Sequence, residues 1–380
     1  MHKSSRILIS GAGVAGLTSA IWLGRAGFRP VVVERAPDVR ADGYIISLSS
    51  HSYQYARKLG LLDEAVALGA GIRESAYLNH AGRPMLELDY RALFSGLDIV
   101  QLMRDDLQRV LFDAARQVAE FRFGDSITGV RMSEEKAEVS FRHAPDEAFD
   151  LLLGADGLHS NTRQLVWPAD QVNAHYLGLF SAAFKLPNVL GLKDRFENHM
   201  EQNRYMCVYT TRAGDLACVF IWKRENREAP DPVDRAAVLR ADFAGAAPTT
   251  TKVLEHCPPD GFYMDNLIQI HLPAWGHQRA VLLGDAAHCM TLLSGQGASA
   301  AFWGASAFCE ALIDGTPESA LATYEKALRP AINAKQPATL KAADWYIPGS
   351  RPRYWMRDTA MTCLPNWLFQ SYFQRKYSSA

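Results

Sequence analysis

At 380 residues the chain is too long for a single small core, and its 48% hydrophobic and 21% charged residues match a soluble globular enzyme. A formal net charge of -1 gives nucleic acid no electrostatic footprint to bind. No apolar run reaches the roughly 18–20 residues of a membrane span, and Met1 to Arg6 lead straight into a strand, so a cytoplasmic address is expected. The cysteines (Cys207, Cys218, Cys257, Cys289, Cys309 and Cys363) show neither a CxxC pair nor a metal-like cluster, and read as small buried apolar residues.

Arg6–Ser10 is a short apolar run ending at Gly11-Ala12-Gly13-Val14-Ala15-Gly16. A helical pattern of Leu17, Ala20, Ile21 and Leu23 follows, then a second apolar strand, Pro30–Val33, closing at Glu34. Each glycine has a physical task in such a unit. Gly11 permits the tight turn, Gly13 lets a pyrophosphate approach the backbone, and Gly16 lets the helix lie close on the sheet. Val14 and Ala15 open a helix whose free N–H groups and positive dipole end face the phosphates. The carboxylate of Glu34 is placed to accept both hydroxyls of an adenosine ribose and to repel a 2′-phosphate. FAD or NAD therefore fits this unit and NADP does not. Arg35, directly after it, is a further candidate for the cofactor. Gly69-Ala70-Gly71 lacks both a preceding strand and a third glycine and reads as a loop.

Three later segments separate the two dinucleotides. Arg104, with Leu107 and Leu111, opens a helix after a strand around Ile99–Leu102. Leu151–Leu153 runs into Gly154-Ala155-Asp156-Gly157-Leu158-His159-Ser160-Asn161-Thr162-Arg163. Arg279-Ala280-Val281-Leu282-Leu283-Gly284-Asp285-Ala286-Ala287-His288 precedes Gly295-Gln296-Gly297. In order and spacing, these motifs and the N-terminal turn resemble the class A flavoprotein monooxygenases, the p-hydroxybenzoate hydroxylase-like family, with some likeness to its tetracycline-inactivating branch. The resemblance covers roughly residues 5–166 and 266–335.

The resemblance implies FAD as the bound cofactor, with NADH or NADPH as a transient reductant. It gives Asp285 a hydrogen bond from the ribityl chain, and gives Gly295, Gln296, Gly297 and Ala298 backbone N–H groups at the flavin pyrimidine edge. Arg104 would serve the pyrophosphate or ribityl region, which fits a cation at the otherwise unfavourable start of a helix. Asp156 is either structural or close to the cofactor. Arg40, with Gly43, falls where the family has a flavin-contacting loop, though a surface cation is the competing reading. His288 reads as structural, with proton transfer as the minor alternative. Two positions depart from the family pattern: Leu292 replaces the usual proline, and Ser299 the usual asparagine.

Residues 167–265 read differently. Ala174–Phe184, Arg204–Thr210 and Leu216–Trp222 alternate like strands separated by turns. Phe180, Phe184, Tyr205, Tyr209, Phe220 and Trp222, with Leu292, are candidate pocket residues, although most would be expected to pack the sheet. The last fifty residues interleave Trp345, Tyr346, Tyr354, Trp355, Trp367, Phe369, Tyr372 and Phe373 with Arg351, Arg353, Arg357, Arg375 and Lys376. A helix docked across both domains is expected there, with weak membrane-surface contact as the rival.

The expected fold is α/β: a Rossmann-type FAD-binding domain with an inserted antiparallel-sheet substrate domain and a C-terminal helical segment. The FAD domain would comprise 1–70, 96–166 and 266–330, the substrate domain 71–95 and 167–265, and the bridging helical segment 331–380. The resemblance implies a monooxygenase that uses O2 and a flavin C4a-hydroperoxide to insert one oxygen atom into a small aromatic or conjugated substrate. A dehydrogenase or reductase without oxygen insertion is the alternative.

Overall fold

The computed structural model describes residues 1–39 and 43–378, so Arg40 lies outside the described residues. Arg6–Ser10, Arg29–Glu34 and Leu151–Gly154 are apolar almost throughout and buried on both faces, the condition that favours parallel strands covered by helices. They join Glu120–Phe123, Ala280–Leu282 and the short Gly276–His277 in a six-stranded sheet, parallel except at its Gly276–His277 edge. Arg6–Ser10 sits between Arg29–Glu34 on one side and Leu151–Gly154 on the other. The chain leaves this strand toward one side and returns on the other, and such a switch point opens a crevice at the strand's carboxyl end. The helix Val14–Arg25 covers the sheet there and packs against Arg104–Ala115 and Gly297–Ile313.

The second large sheet has seven strands in the order Tyr263–His271, Asn173–Leu186, Leu216–Lys223, Arg204–Thr210, Arg195–Glu201, Glu74–Leu78 and Pro84–Asp89. The expected antiparallel pairing holds except between Arg195–Glu201 and Glu74–Leu78, which run parallel. These two strands come from distant parts of the chain, so no hairpin forces them antiparallel. One face, bearing Phe184, Phe220 and Trp222, packs on the helices Arg235–Asp242 and Pro248–Glu255. The other, bearing Cys207, Tyr209, Val219 and Ile221, belongs to a separate cluster with Leu292 and Tyr346. A two-stranded ribbon, Ile45–Ser49 with Ile99–Met103, and a three-stranded antiparallel sheet complete the strands.

The helical end differs from expectation in two ways. One thirty-residue helix, Pro317–Tyr346, runs straight through position 330, carrying Pro330 and Pro337 inside it. A capping box between Thr316 and Ser319 starts it. This helix does the bridging; the helices Arg351–Cys363 and Asn366–Ser378 that follow lie on one edge, against Pro84–Asp89 and Tyr90–Phe94. Trp355 and Trp367 on them are 74% and 61% exposed, so they do not join the core. Arg357, by contrast, is buried. Five cysteines are buried as expected, whereas Cys363 is exposed. Among the described residues no helix is long and apolar enough to cross a membrane, and no group of three candidate metal ligands occurs.

Candidate active site

A cavity of about 1160 Å³ begins at the carboxyl end of Arg6–Ser10, passes Arg104 and Asp285, and reaches Tyr205 and Tyr209 on the seven-stranded sheet. The glycine turn forms its first wall. Gly11 takes φ +103°, and a Cβ there would meet Ala155 O at 2.5 Å. A Cβ on Gly16 would lie 1.9 Å from the Gly11 carbonyl oxygen, so Gly16 serves packing and is absent from the cavity wall. Gly13 has nothing within 4 Å of its virtual Cβ and borders the cavity with Val14 and Ala15. Open space above a helix start is what a phosphate group needs.

Glu34 does two jobs at the end of its strand. Its Oε2 accepts from Ala12 N and its Oε1 from Ala36 N, both at 2.9 Å. Each carboxylate oxygen has a second lone pair, so both retain capacity for a ligand hydroxyl. Arg35 also borders the cavity. Gln108, which the sequence analysis passed over, reaches across from Arg104–Ala115 and donates its amide to Ala12 O at 3.0 Å. It fixes the turn from behind.

The middle of the cavity is electrically paired. The Arg104 guanidinium lies over the Tyr44 ring at 5.5 Å. Asp285 begins the short helix Asp285–His288 after Gly284, whose φ is +61°. Asp285 sits deep in the molecule, yet its surface opens onto the cavity. Burial raises its carboxyl above the usual range, and the positive charge of Arg104 opposes that rise. Gly295, Gly297 and Ala298 line the wall where the helix Gly297–Ile313 starts; Gln296 is buried and contributes no side chain to the lining. Thr291 borders the same region with φ +73°, rare for a β-branched residue, and its buried Oγ1 makes no hydrogen bond to the protein. An open glycine turn, a ribose-ready carboxylate, a helix start and an orphaned hydroxyl together fit a flavin dinucleotide.

The FAD binding domain family model matches residues 4–336. A flavin-dependent monooxygenase from an unknown prokaryotic organism is 30% identical over 344 residues, 88% of either chain. The chain belongs to this family of FAD-binding flavoprotein monooxygenases. The tetracycline destructase Tet(51) is 25% identical in sequence, with a TM-score of 0.84 over 99% of this chain and 98% of its own. The same fold occurs in Klebsiella pneumoniae HpxO complexed with FAD and uric acid, at 22% identity, a TM-score of 0.84, and 99% and 97% coverage.

Within this family fold the Asp156 carboxylate is filled by its own turn. It accepts from Thr162 N at 2.8 Å, Thr162 Oγ1 at 2.9 Å and Ser160 Oγ at 2.5 Å. It therefore holds the turn, although it borders the cavity. Arg163, given no role by the sequence, is buried and donates to Ala286 O at 2.8 Å and Leu158 O at 2.6 Å, joining the two flavoprotein motifs. Its only signal was its place at the end of the Gly154–Arg163 segment.

The two departures have different consequences. Ser299 stands where the family has asparagine, and its Oγ meets Ser52 Oγ at 2.6 Å and accepts from Ser49 N at 3.3 Å. This knits Ile45–Ser49 to the helix start. Leu292 opens the turn Leu292–Ser294 and lines the cavity with Leu293.

Of the predicted pocket residues, Tyr205, Tyr209 and Leu292 line the cavity. Phe180, Phe184, Phe220 and Trp222 do not; they point into the cluster on the opposite face of the sheet. Strand alternation decides this, and it brings in Val219 and Ile221 instead, along with Phe196, Asn198, Tyr44 and Tyr263.

His288 lies outside the cavity. Its ring sits 4.7 Å from that of Trp275, and its Nε2 is 3.1 Å from the Tyr324 hydroxyl. Burial pushes its imidazole down to about 3. The unfolded chain binds a proton at this side chain below about pH 6.5. The stability that depends on neutral His288 is thus complete above that pH and is lost as pH falls toward about 3. His288→Phe is expected to flatten the acid limb of the stability curve in this window. Flavin content and reduction by NAD(P)H should persist; lost reduction with FAD still bound would make His288 catalytic.

Asp285→Ala is expected to weaken FAD binding about tenfold to a hundredfold, the loss of a charge-assisted hydrogen bond of roughly 1.5–3 kcal/mol. Titration of the apoprotein measures it, and unchanged affinity in a folded variant would remove Asp285 from the cofactor site.

Proposed function

We propose that this flavoprotein monooxygenase takes electrons from NADH or NADPH and inserts one atom of O2 into a small aromatic or conjugated organic molecule. The observation that carries this reading is the continuity of the cavity, from the glycine turn past Asp285 to an aromatic chamber on the seven-stranded sheet. Bound FAD supplies the hydride acceptance and oxygen activation.

The chain's own residues hold, orient and enclose. Gly11, Gly13, Val14 and Ala15 would cradle the pyrophosphate, Glu34 the ribose, and Arg35 and Arg104 the phosphate and ribityl region. Asp285 would accept from a ribityl hydroxyl. The N–H groups at Gly295–Ala298 would favour negative charge at the pyrimidine edge. Leu292, Leu293 and Ile45 give the chamber an apolar rim that excludes water.

The two large sheets fit a division into FAD-binding segments 1–70, 96–166 and 266–330 and substrate segments 71–95 and 167–265, except that the strand Tyr263–His271 of the seven-stranded sheet crosses the boundary at 265. The buried, unpaired thiols suit a reducing cytoplasm. Trp355 and Trp367, with exposed Arg351 and Arg353, suit weak contact with an anionic membrane. Failure to co-sediment with anionic vesicles at low salt would dismiss that contact.

The test of the reaction is isotopic. With FAD, NAD(P)H, ¹⁸O2 and a turned-over substrate, the product is expected to gain one labelled oxygen. An unlabelled product, with only peroxide or reduced acceptor formed, would make the protein a dehydrogenase.

A further inference from the structure

One rung of the seven-stranded sheet reaches across to the flavin end of the cavity. Lys185 on Asn173–Leu186 and Tyr209 on Arg204–Thr210 are both paired with Ala217 of Leu216–Lys223. The two side chains therefore stand on one face of the sheet, with only a methyl group between them. Each meets a different point of one short segment outside this sheet, residues 43–45.

Tyr209 acts through its hydroxyl, which accepts from Ile45 N at 2.6 Å. Its ring lies against that of Phe196, 6° from parallel at 4.9 Å, and this fixes where the hydroxyl sits. Lys185 acts through its stem and its charge. A Cβ on Gly43 would overlap Lys185 Cε, and Lys185 Nζ donates to Asp105 Oδ2 at 2.5 Å. Asp105 Oδ1 is buried with no hydrogen-bond partner among the described residues, so the lysine is what satisfies this carboxylate. Between these two points lies Arg104, the neighbour of Asp105. Its N–H donates to Tyr44 O at 2.9 Å, and its guanidinium lies over the Tyr44 ring. The contacts close on themselves, from Lys185 through Asp105, Arg104, Tyr44 and Ile45 to Tyr209 and back along the rung.

We propose that Lys185 and Tyr209 are positioning residues for FAD: they clamp residues 43–45 from the substrate sheet and so hold Arg104 in place for the cofactor. The inference rests on the assignment of Arg104 to the phosphate and ribityl region. An arginine that is mobile before binding must give up its rotamer freedom when the ligand arrives, whereas one already packed on Tyr44 has lost it beforehand. Loosening either end of the clamp returns that freedom.

The test combines FAD titration of the full-length apoprotein with hydrogen exchange of the backbone amides in residues 43–49. Tyr209→Phe keeps the ring stack and removes the hydroxyl alone. It is expected to speed exchange at Ile45 about tenfold, the loss of one buried hydrogen bond. FAD binding should weaken at least about threefold, the cost of ordering one more side chain on binding. Lys185→Met and Gly43→Ala break the bridge to Asp105 from opposite sides and should weaken FAD binding to a similar degree, while Lys185→Arg retains it. In an Arg104→Met background neither Tyr209→Phe nor Lys185→Met should cost any further affinity, although the faster exchange at Ile45 in Tyr209→Phe remains. Wild-type FAD affinity in folded Tyr209→Phe and Lys185→Met would overturn the proposal, as would losses that persist at full size without Arg104, or unchanged exchange at Ile45 in Tyr209→Phe. Failure of the Arg104 assignment would look different: Arg104→Met itself would bind FAD like the wild type.

Discussion

Gly16→Ala is expected to give a protein that retains no FAD and melts well below the wild type. The added Cβ would sit 1.9 Å from Gly11 O and 3.3 Å from Ile9 Cγ2. Neither neighbour can yield cheaply. Gly11 is held in its left-handed turn by the hydrogen bond from its N–H to Val33 O, and Ile9 is in the sheet core. The helix must lift away, which removes its N–H groups from the phosphates and opens the packing beneath; overpacking of this kind costs about 1–3 kcal/mol or more. Gly13→Ala is the control. Its Cβ meets nothing within 4 Å, and φ −81° suits any residue. That variant should melt like the wild type yet hold FAD poorly, because the methyl enters the ligand's space. Thermal melts and flavin content after gel filtration separate the two. If Gly16→Ala keeps its flavin, the close-packing argument fails.

Arg357→Met is expected to cost about 3–5 kcal/mol of stability, the usual consequence of removing one partner of a buried ion pair. The guanidinium is 2% exposed and donates to Tyr346 O at 3.1 Å, Met200 O at 3.3 Å and Asp358 Oδ1 at 2.7 Å. Methionine fills part of the volume but leaves Met200 O buried without this donor, and takes the charge partner from the half-buried Asp358. Damage should be confined to the C-terminal helices and the chamber edge at Tyr346. Chemical denaturation should show the loss, and limited proteolysis should find the 347–350 connection opened while FAD stays bound. An undiminished midpoint would show that the surrounding packing, and not Arg357, holds the tail.

The flavin end was legible in the sequence because its signals are local. A strand, three spaced glycines and a terminal acid act within one short unit, and the GDAAH segment is similarly compact. The chamber end was not. Leu216–Lys223 is buried at seven successive positions, so hydrophobicity carries no period-two signal, and the choice between Phe220 and Ile221 as pocket residues depends on which face later receives the helices Arg235–Asp242 and Pro248–Glu255. The roles of Gln108 and Arg163 were hidden for a related reason: both hold backbone carbonyls of distant segments, a task with no sequence motif. Nothing in the sequence singled out Arg357 from its basic neighbours, because its acceptors, Met200 O and Tyr346 O, are main-chain atoms that any residue could supply.

The uninterrupted helix Pro317–Tyr346 works as a spacer of fixed length. Near its start Tyr324 donates to Leu282 O beside the flavin motif; at its middle Gln336 donates to Ile270 O and Cys289 O; at its end Tyr346 borders the chamber. Because an α-helix advances about 1.5 Å and turns about 100° per residue, one residue inserted after Gln336 would swing Tyr346 out of the chamber while leaving every upstream contact in register. A whole added turn would restore its direction and carry it roughly 5 Å farther out. The depth of the chamber can therefore drift in evolution in steps of one helical turn, without any change at the cofactor.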